Sequence, residues 1–194
     1  MAITPSGRGR NRLRPFVWGG AAVLLLLPAV AMRFTAEVNW TGADFAAMGL
    51  MLAVACGLYE LGARLSGDPA YRAAFGIAVA TGLLTVWANL AVGMFGSEDN
   101  PLNLMFGGVL LVAATGALLA RFRAGGMAGA MGATAAAQLL AAGIGLAWGL
   151  PAGFDEPRGA GVYLEALLAA CFALPWLVSA LLFRRAARAE TAPR

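Results

Sequence analysis

Residues 43–65 read ADFAAMGLMLAVACGLYELGARL, and no charged side chain stands between Phe45 and Tyr59. A helix that crosses the hydrocarbon layer of a membrane needs about 20 mostly apolar residues, and this stretch is long enough alone. Just ahead of it runs Trp40-Thr41-Gly42-Ala43-Asp44-Phe45. Thr41 and Asp44 have the spacing of a capping box, with Asp in the acidic place, and Trp40 and Phe45 that of a hydrophobic staple. The segment is therefore expected to be a capped transmembrane helix. Working outward, 16–32, 73–95, 101–120, 126–150 and 161–183 are of similar length and character. The links between them are roughly five to ten residues, too short to hold a soluble domain.

Composition agrees. Of 194 residues, 60% are hydrophobic and 12% charged, with a mean hydropathy of +0.74, well outside the soluble globular range. The expected fold is all-α: one polytopic bundle of six transmembrane helices over residues 16–183, between basic tails at 1–15 and 184–194 that are expected to lie loosely at the membrane surface.

Several chemistries are removed by what the chain lacks. All 14 basic residues are arginine, and there is no histidine. Without lysine there is no Schiff base and no Walker-type phosphate lysine; without histidine there is no histidine-ligated haem or zinc, and no Ser-His triad. Cys56 and Cys171 are far apart and belong to no C-x-x-C pair, which disfavours dithiol chemistry. They read as small apolar residues of the bundle. No cofactor or metal is expected.

Arginine placement sets the orientation. With the N-terminus cytoplasmic, the inner side collects Arg8, Arg10, Arg12, Arg14, Arg64, Arg72, Arg121, Arg123, Arg184, Arg185, Arg188 and Arg194, leaving Arg33 and Arg158 outside. Glu37, Asp44, Glu98, Asp99, Asp155 and Glu156 all fall in outward segments. Both termini are thus expected in the cytoplasm. The basic face suits anionic headgroups, so the high isoelectric point does not call for nucleic-acid binding. The first helix has a second reading: four arginines, an apolar run and Ala29-Val30-Ala31 also fit a signal peptide, whose cleavage within residues 1–31 would leave five helices.

Two groups of polar residues are candidate sites. The outward loop Gly96-Ser97-Glu98-Asp99-Asn100-Pro101-Leu102-Asn103 gathers Glu98, Asp99, Asn100 and Asn103, oxygen ligands that suit a hard cation. The structural reading is that Asn100 caps a helix opening with Pro101. Within the membrane, Glu60, Thr85, Asn89, Gln138 and Glu165 are the candidates, because intramembrane polar residues are costly and need a partner or a task. Glu60 stands four before Arg64, the spacing of a helical ion pair. Thr81, Thr85, Asn89 and Gly93 recur every four residues, and Gly125, Gly129, Ala133, Ala137, Ala141, Gly145 and Gly149 do the same. The second row is expected to be a close-packing seam, with Asn89 and Gln138 bonded across the bundle. Pro175 is expected to kink the last helix.

Val38-Asn39-Trp40-x-x-x-Asp44-Phe45, Leu58-Tyr59-Glu60, Trp87-x-Asn89-Leu90-Ala91-Val92-Gly93, Gly96-Ser97-Glu98-Asp99-Asn100-Pro101-x-Asn103 and Ala120-Arg121-Phe122-Arg123 with Gly126-Met127-Ala128 resemble a family of small bacterial multi-pass inner-membrane proteins with no established activity. The resemblance spans about residues 33–140, and Gly-Ser-Glu-Asp-Asn-Pro is its most specific part. It implies a bacterial inner membrane and draws attention to Trp87, Asn89, Glu98, Asp99, Asn100 and Asn103; it implies no reaction. The expected role is that of a non-catalytic accessory, assembly or lipid-contacting component, with a membrane-protein partner or a second copy. The alternative is a small proton- or ion-linked transporter or channel using the intramembrane polar residues.

Overall fold

In the computed structural model the described residues, 14–149 and 159–191, are helical apart from short links. The helices are α1 (Arg14–Ala31), α2 (Gly42–Leu65), α3 (Pro69–Ala91), α4 (Leu104–Leu119), α5 (Ala124–Gly149), α6 (Gly159–Cys171) and α7 (Ala173–Thr191), with a single 3-10 turn at Pro101–Asn103 ahead of α4. Among the described residues six stretches are long and apolar enough to cross a membrane, α6 and α7 together making the sixth. The protein is an all-α polytopic membrane bundle. Large apolar side chains such as Leu50, Leu90, Leu111, Leu140 and Leu181 lie exposed on helix surfaces, which is where lipid replaces water.

The chain divides between Gly67 and Asp68 into two compact units. In the first, α1 packs on α2. The cap of α2 is as its sequence requires: Asp44 accepts from the Thr41 N–H at 2.7 Å, Thr41 Oγ1 accepts from the Asp44 N–H at 3.4 Å, and the Trp40 and Phe45 rings meet edge-on at 5.2 Å.

In the second unit α3 packs against α4 and α7, and α5 against α4, α6 and α7, so α3, α4, α5 and α7 close a ring. Asp68 caps α3 and Pro69 follows as its first residue, so α3 begins four residues earlier than the apolar pattern indicates. It also ends four residues earlier. Gly93 and Gly96 adopt left-handed backbone (φ +73° and +66°), turning Met94 and Phe95 back into the bundle. Phe95 stacks on Phe106 at 6.0 Å, and a Cβ on Gly145 would lie within the Phe95 ring.

The buried face of α5 differs from the expected seam. Of the expected row, Gly125, Gly129 and Ala133 are exposed, Ala137 is half-buried, and Ala141 and Gly145 are buried; Ala124, Ala128, Met131, Ala135, Gln138 and Ala142 are buried besides. At about 100° per residue, a row repeating every four positions drifts about 40° per step and cannot stay on one side of so long a helix. Steps alternating four and three do stay, and the row Ala124, Ala128, Met131, Ala135, Gln138, Ala142 and Gly145 has that alternation, with Met127, Ala130, Thr134 and Ala141 buried beside it. The last span also departs from expectation. It breaks at Phe172, three residues before Pro175, which sits in the first turn of α7, where its missing N–H costs no internal bond. Beyond the break, α7 runs through 184–191 as helix, with Ala186 buried.

Candidate functional site

Glu60, in the first unit, is held by three donors. Trp18 Nε1 donates at 2.7 Å, Arg14 Nε lies 2.8 Å away, and the expected partner Arg64 donates at 3.3 Å. Its side chain is 14% exposed, while Arg14 and Arg64 reach outward at 62% and 77%. Arg14 and Trp18 stand four apart on α1 as Glu60 and Arg64 do on α2. Sequence reasoning paired Glu60 within its own helix and missed the two donors on α1. Two polar i, i+4 pairs on consecutive helices were the available signal. Cys56, one turn before Glu60, is buried, its thiol directed at the Val17 carbonyl at 4.0 Å.

In the second unit the polar stripe of α3 is turned on its own backbone. Thr81 donates to the Ile77 carbonyl at 2.7 Å, Thr85 to Thr81 at 2.8 Å, and Asn89 Nδ2 to Thr85 at 2.7 Å. The expected bond between Asn89 and Gln138 is not made. Gln138 Nε2 donates instead to the Ala169 carbonyl at 2.9 Å, in the last turn of α6 beside the break. That carbonyl also accepts from the Phe172 N–H at 3.3 Å, a long bond that leaves its second lone pair for the Gln138 amide, whereas the Asn89 amide is already given to its own helix. Glu165 is half-buried on α6, and Cys171 is exposed, not part of the core.

The outward loop is organised by Asn103. Its Oδ1 accepts from the Met94 and Phe95 amides at 3.1 and 2.9 Å, and its Nδ2 donates to the Phe95 and Ser97 carbonyls at 3.3 and 2.7 Å. Asn100 accepts from the Leu102 N–H at 3.0 Å, the cap its position before Pro101 suggests. The two asparagines thus hold the loop together, and Glu98 and Asp99 are exposed at its tip. Among the described residues no three His, Cys, Asp or Glu side chains gather as metal ligands. Of the eight candidate amides and acids, the structure joins Asn100 to Asn103 through this loop, and no carboxylate bonds Asn89 or Gln138 among the described residues.

The opposite end of this unit is basic. Tyr71 donates to the Phe122 carbonyl at 2.7 Å and meets the Phe183 ring at 5.1 Å, which places Arg72, Arg121, Arg123 and Arg184 at one end. Arg121 and Phe122 carry positive φ values of +50° and +57°, an unusual pair for side-chain-bearing residues. Arg158, Asp155 and Glu156 lie outside the described residues.

Comparison with family models, curated proteins and solved structures finds no match to this chain. What stands is the architecture: a multi-pass helical membrane bundle without an evident catalytic or metal-binding constellation among the described residues.

Proposed function

We propose that the protein is a non-catalytic accessory or assembly component of a bacterial inner membrane, acting through contact with lipid and with another membrane protein or a second copy of itself. One observation carries this reading: the polar side chains that chemistry or transport would need are spent on the fold. Glu60 has three donors, Asn103 makes four bonds, and the threonines of α3 bond their own helix. The resemblance of the Gly96–Asn103 loop to bacterial inner-membrane proteins supports the setting. Even span number and the arginine bias support cytoplasmic termini, with anionic headgroups at the basic end and residues 16–183 acting as one transmembrane domain. Small residues left exposed on α5, Gly129 and Ala133 among them, would let a partner helix approach closely.

The transporter reading keeps one observation in its favour, the unpartnered oxygens of Asn89 and Gln138. The partner reading is tested with photo-crosslinkers at Gly129 and Ala133 in native membranes. A discrete protein adduct, to one other species or to a second copy, is expected; adducts with lipid alone would contradict it. Reporter fusions at Ala2 and Arg194 should be active only as cytoplasmic reporters, and activity of either as an outward reporter would reverse the orientation.

A further inference from the structure

Three buried polar atoms of the second unit have no hydrogen-bond partner among the described residues: Gln138 Oε1, Asn89 Oδ1 and Trp176 Nε1. Gln138 is wholly enclosed, at 0% exposure, and Trp176 nearly so at 2%. They stand on either side of the α6–α7 break, Gln138 through its bond to Ala169 and Trp176 in the opening turns of α7. Neither amide can relieve itself by turning over. That would set Gln138 Oε1 against the Ala169 carbonyl and Asn89 Oδ1 against that of Thr85. The surrounding donors cannot help either, since Thr85, Thr134 and Ser179 have given their hydroxyl protons to the carbonyls of Thr81, Ala130 and Ala74.

In a membrane interior such groups lack bulk water and are costly to leave unmade. The occupant they require must both donate, to two amide oxygens, and accept, from an indole N–H. A cation would suit the oxygens but would face the Trp176 N–H, and among the described residues no carboxylate is buried to balance its charge. An anion would meet the reverse conflict.

We propose that buried water satisfies these three atoms, donating to Gln138 Oε1 at the α6–α7 break and to Asn89 Oδ1 on α3, and accepting from Trp176 Nε1. Because Gln138 is at 0% exposure and Trp176 at 2%, this water is a fixed part of the bundle and no route across it. It holds open a helix break that would otherwise close on unpaired groups. The proposal goes beyond the accessory role above and does not depend on it.

The full chain in micelles, labelled with 15N-tryptophan and with 13C at the side-chain carbonyl of glutamine, provides the test. Gln138 is the only glutamine, so its carbonyl needs no assignment; Trp176 is one of five tryptophans and is assigned by loss of its signal in Trp176→Phe. Should that variant fail to fold, single Phe substitutions at Trp18, Trp40, Trp87 and Trp148 assign the other four signals one at a time and leave that of Trp176 by elimination. The expected result is a cross-peak between the Trp176 indole proton and water, and a Gln138 carbonyl stretch lowered to the hydrogen-bonded range. A Trp176 proton without water contact, together with a free carbonyl stretch, would overturn the proposal. So would signals that move when sodium or ammonium replaces choline, which would identify a cation.

Discussion

Asn103 satisfies two buried amides and two carbonyls with one side chain, which makes it the costliest residue of its loop to lose. Asn103→Ala strands the amides of Met94 and Phe95 and should destabilise the protein by about 2–4 kcal/mol. Asn103→Asp keeps the acceptor and should fall between the two, as read by melting in detergent; equal stability of all three would remove the role given to this side chain. Packing supplies a second comparison. Ala135 is 1% exposed and Ala137 only partly covered, so Ala135→Leu should cost on the order of 1–3 kcal/mol by overpacking and Ala137→Leu clearly less. The opposite order would restore the four-residue seam as the buried face. That seam was the misleading signal at this scale, because Ala and Gly fill most of α5 and composition alone does not separate a packed face from an exposed one. The Thr41–Asp44 cap and the Glu60–Arg64 pair were legible because both are local in sequence. Arg14 and Trp18 were hidden from the same reasoning by the 42 or more positions that separate them from Glu60.

At the level of elements, the starts at Thr41 and Asn100-Pro101 were read from their caps, whereas the start of α3 was placed four residues late although Asp68-Pro69 carries the same signal. Ends and breaks depended on tertiary partners. The break at Phe172 shows the difference: Pro175 marks the neighbourhood, but the carbonyl that receives Gln138 lies six residues earlier. The α4–α5 turn is another place where the sequence gives little warning. A turn with two left-handed residues would ordinarily hold glycine, and here it holds Arg121 and Phe122. Phe122 is retained by its carbonyl bond to Tyr71 and by its ring beside Phe75 at 6.3 Å. Arg121 is exposed. Arg121→Gly should therefore stabilise the fold by about 0.5–1 kcal/mol, while Phe122→Gly should destabilise it despite the same relief of backbone strain. A loss of stability in Arg121→Gly would mean that the arginine side chain has a structural task of its own.

For the molecule as a whole, hydropathy alone was enough to give the class, since six apolar spans joined by short links leave few other architectures in lipid. The candidate residues were legible only as polar groups costly to bury in a membrane; their bonds to backbone carbonyls depend on helix ends and faces that periodicity misplaced. The central claim is that these residues hold the bundle and do not pass a solute. Proton and monovalent-cation flux in proteoliposomes of the intact protein tests it most directly. The account predicts flux equal to that of empty vesicles, unchanged in Glu60→Gln. A saturable flux that disappears in Asn89→Ala or Gln138→Leu while the protein remains folded would contradict it and make the interior polar residues a transport path.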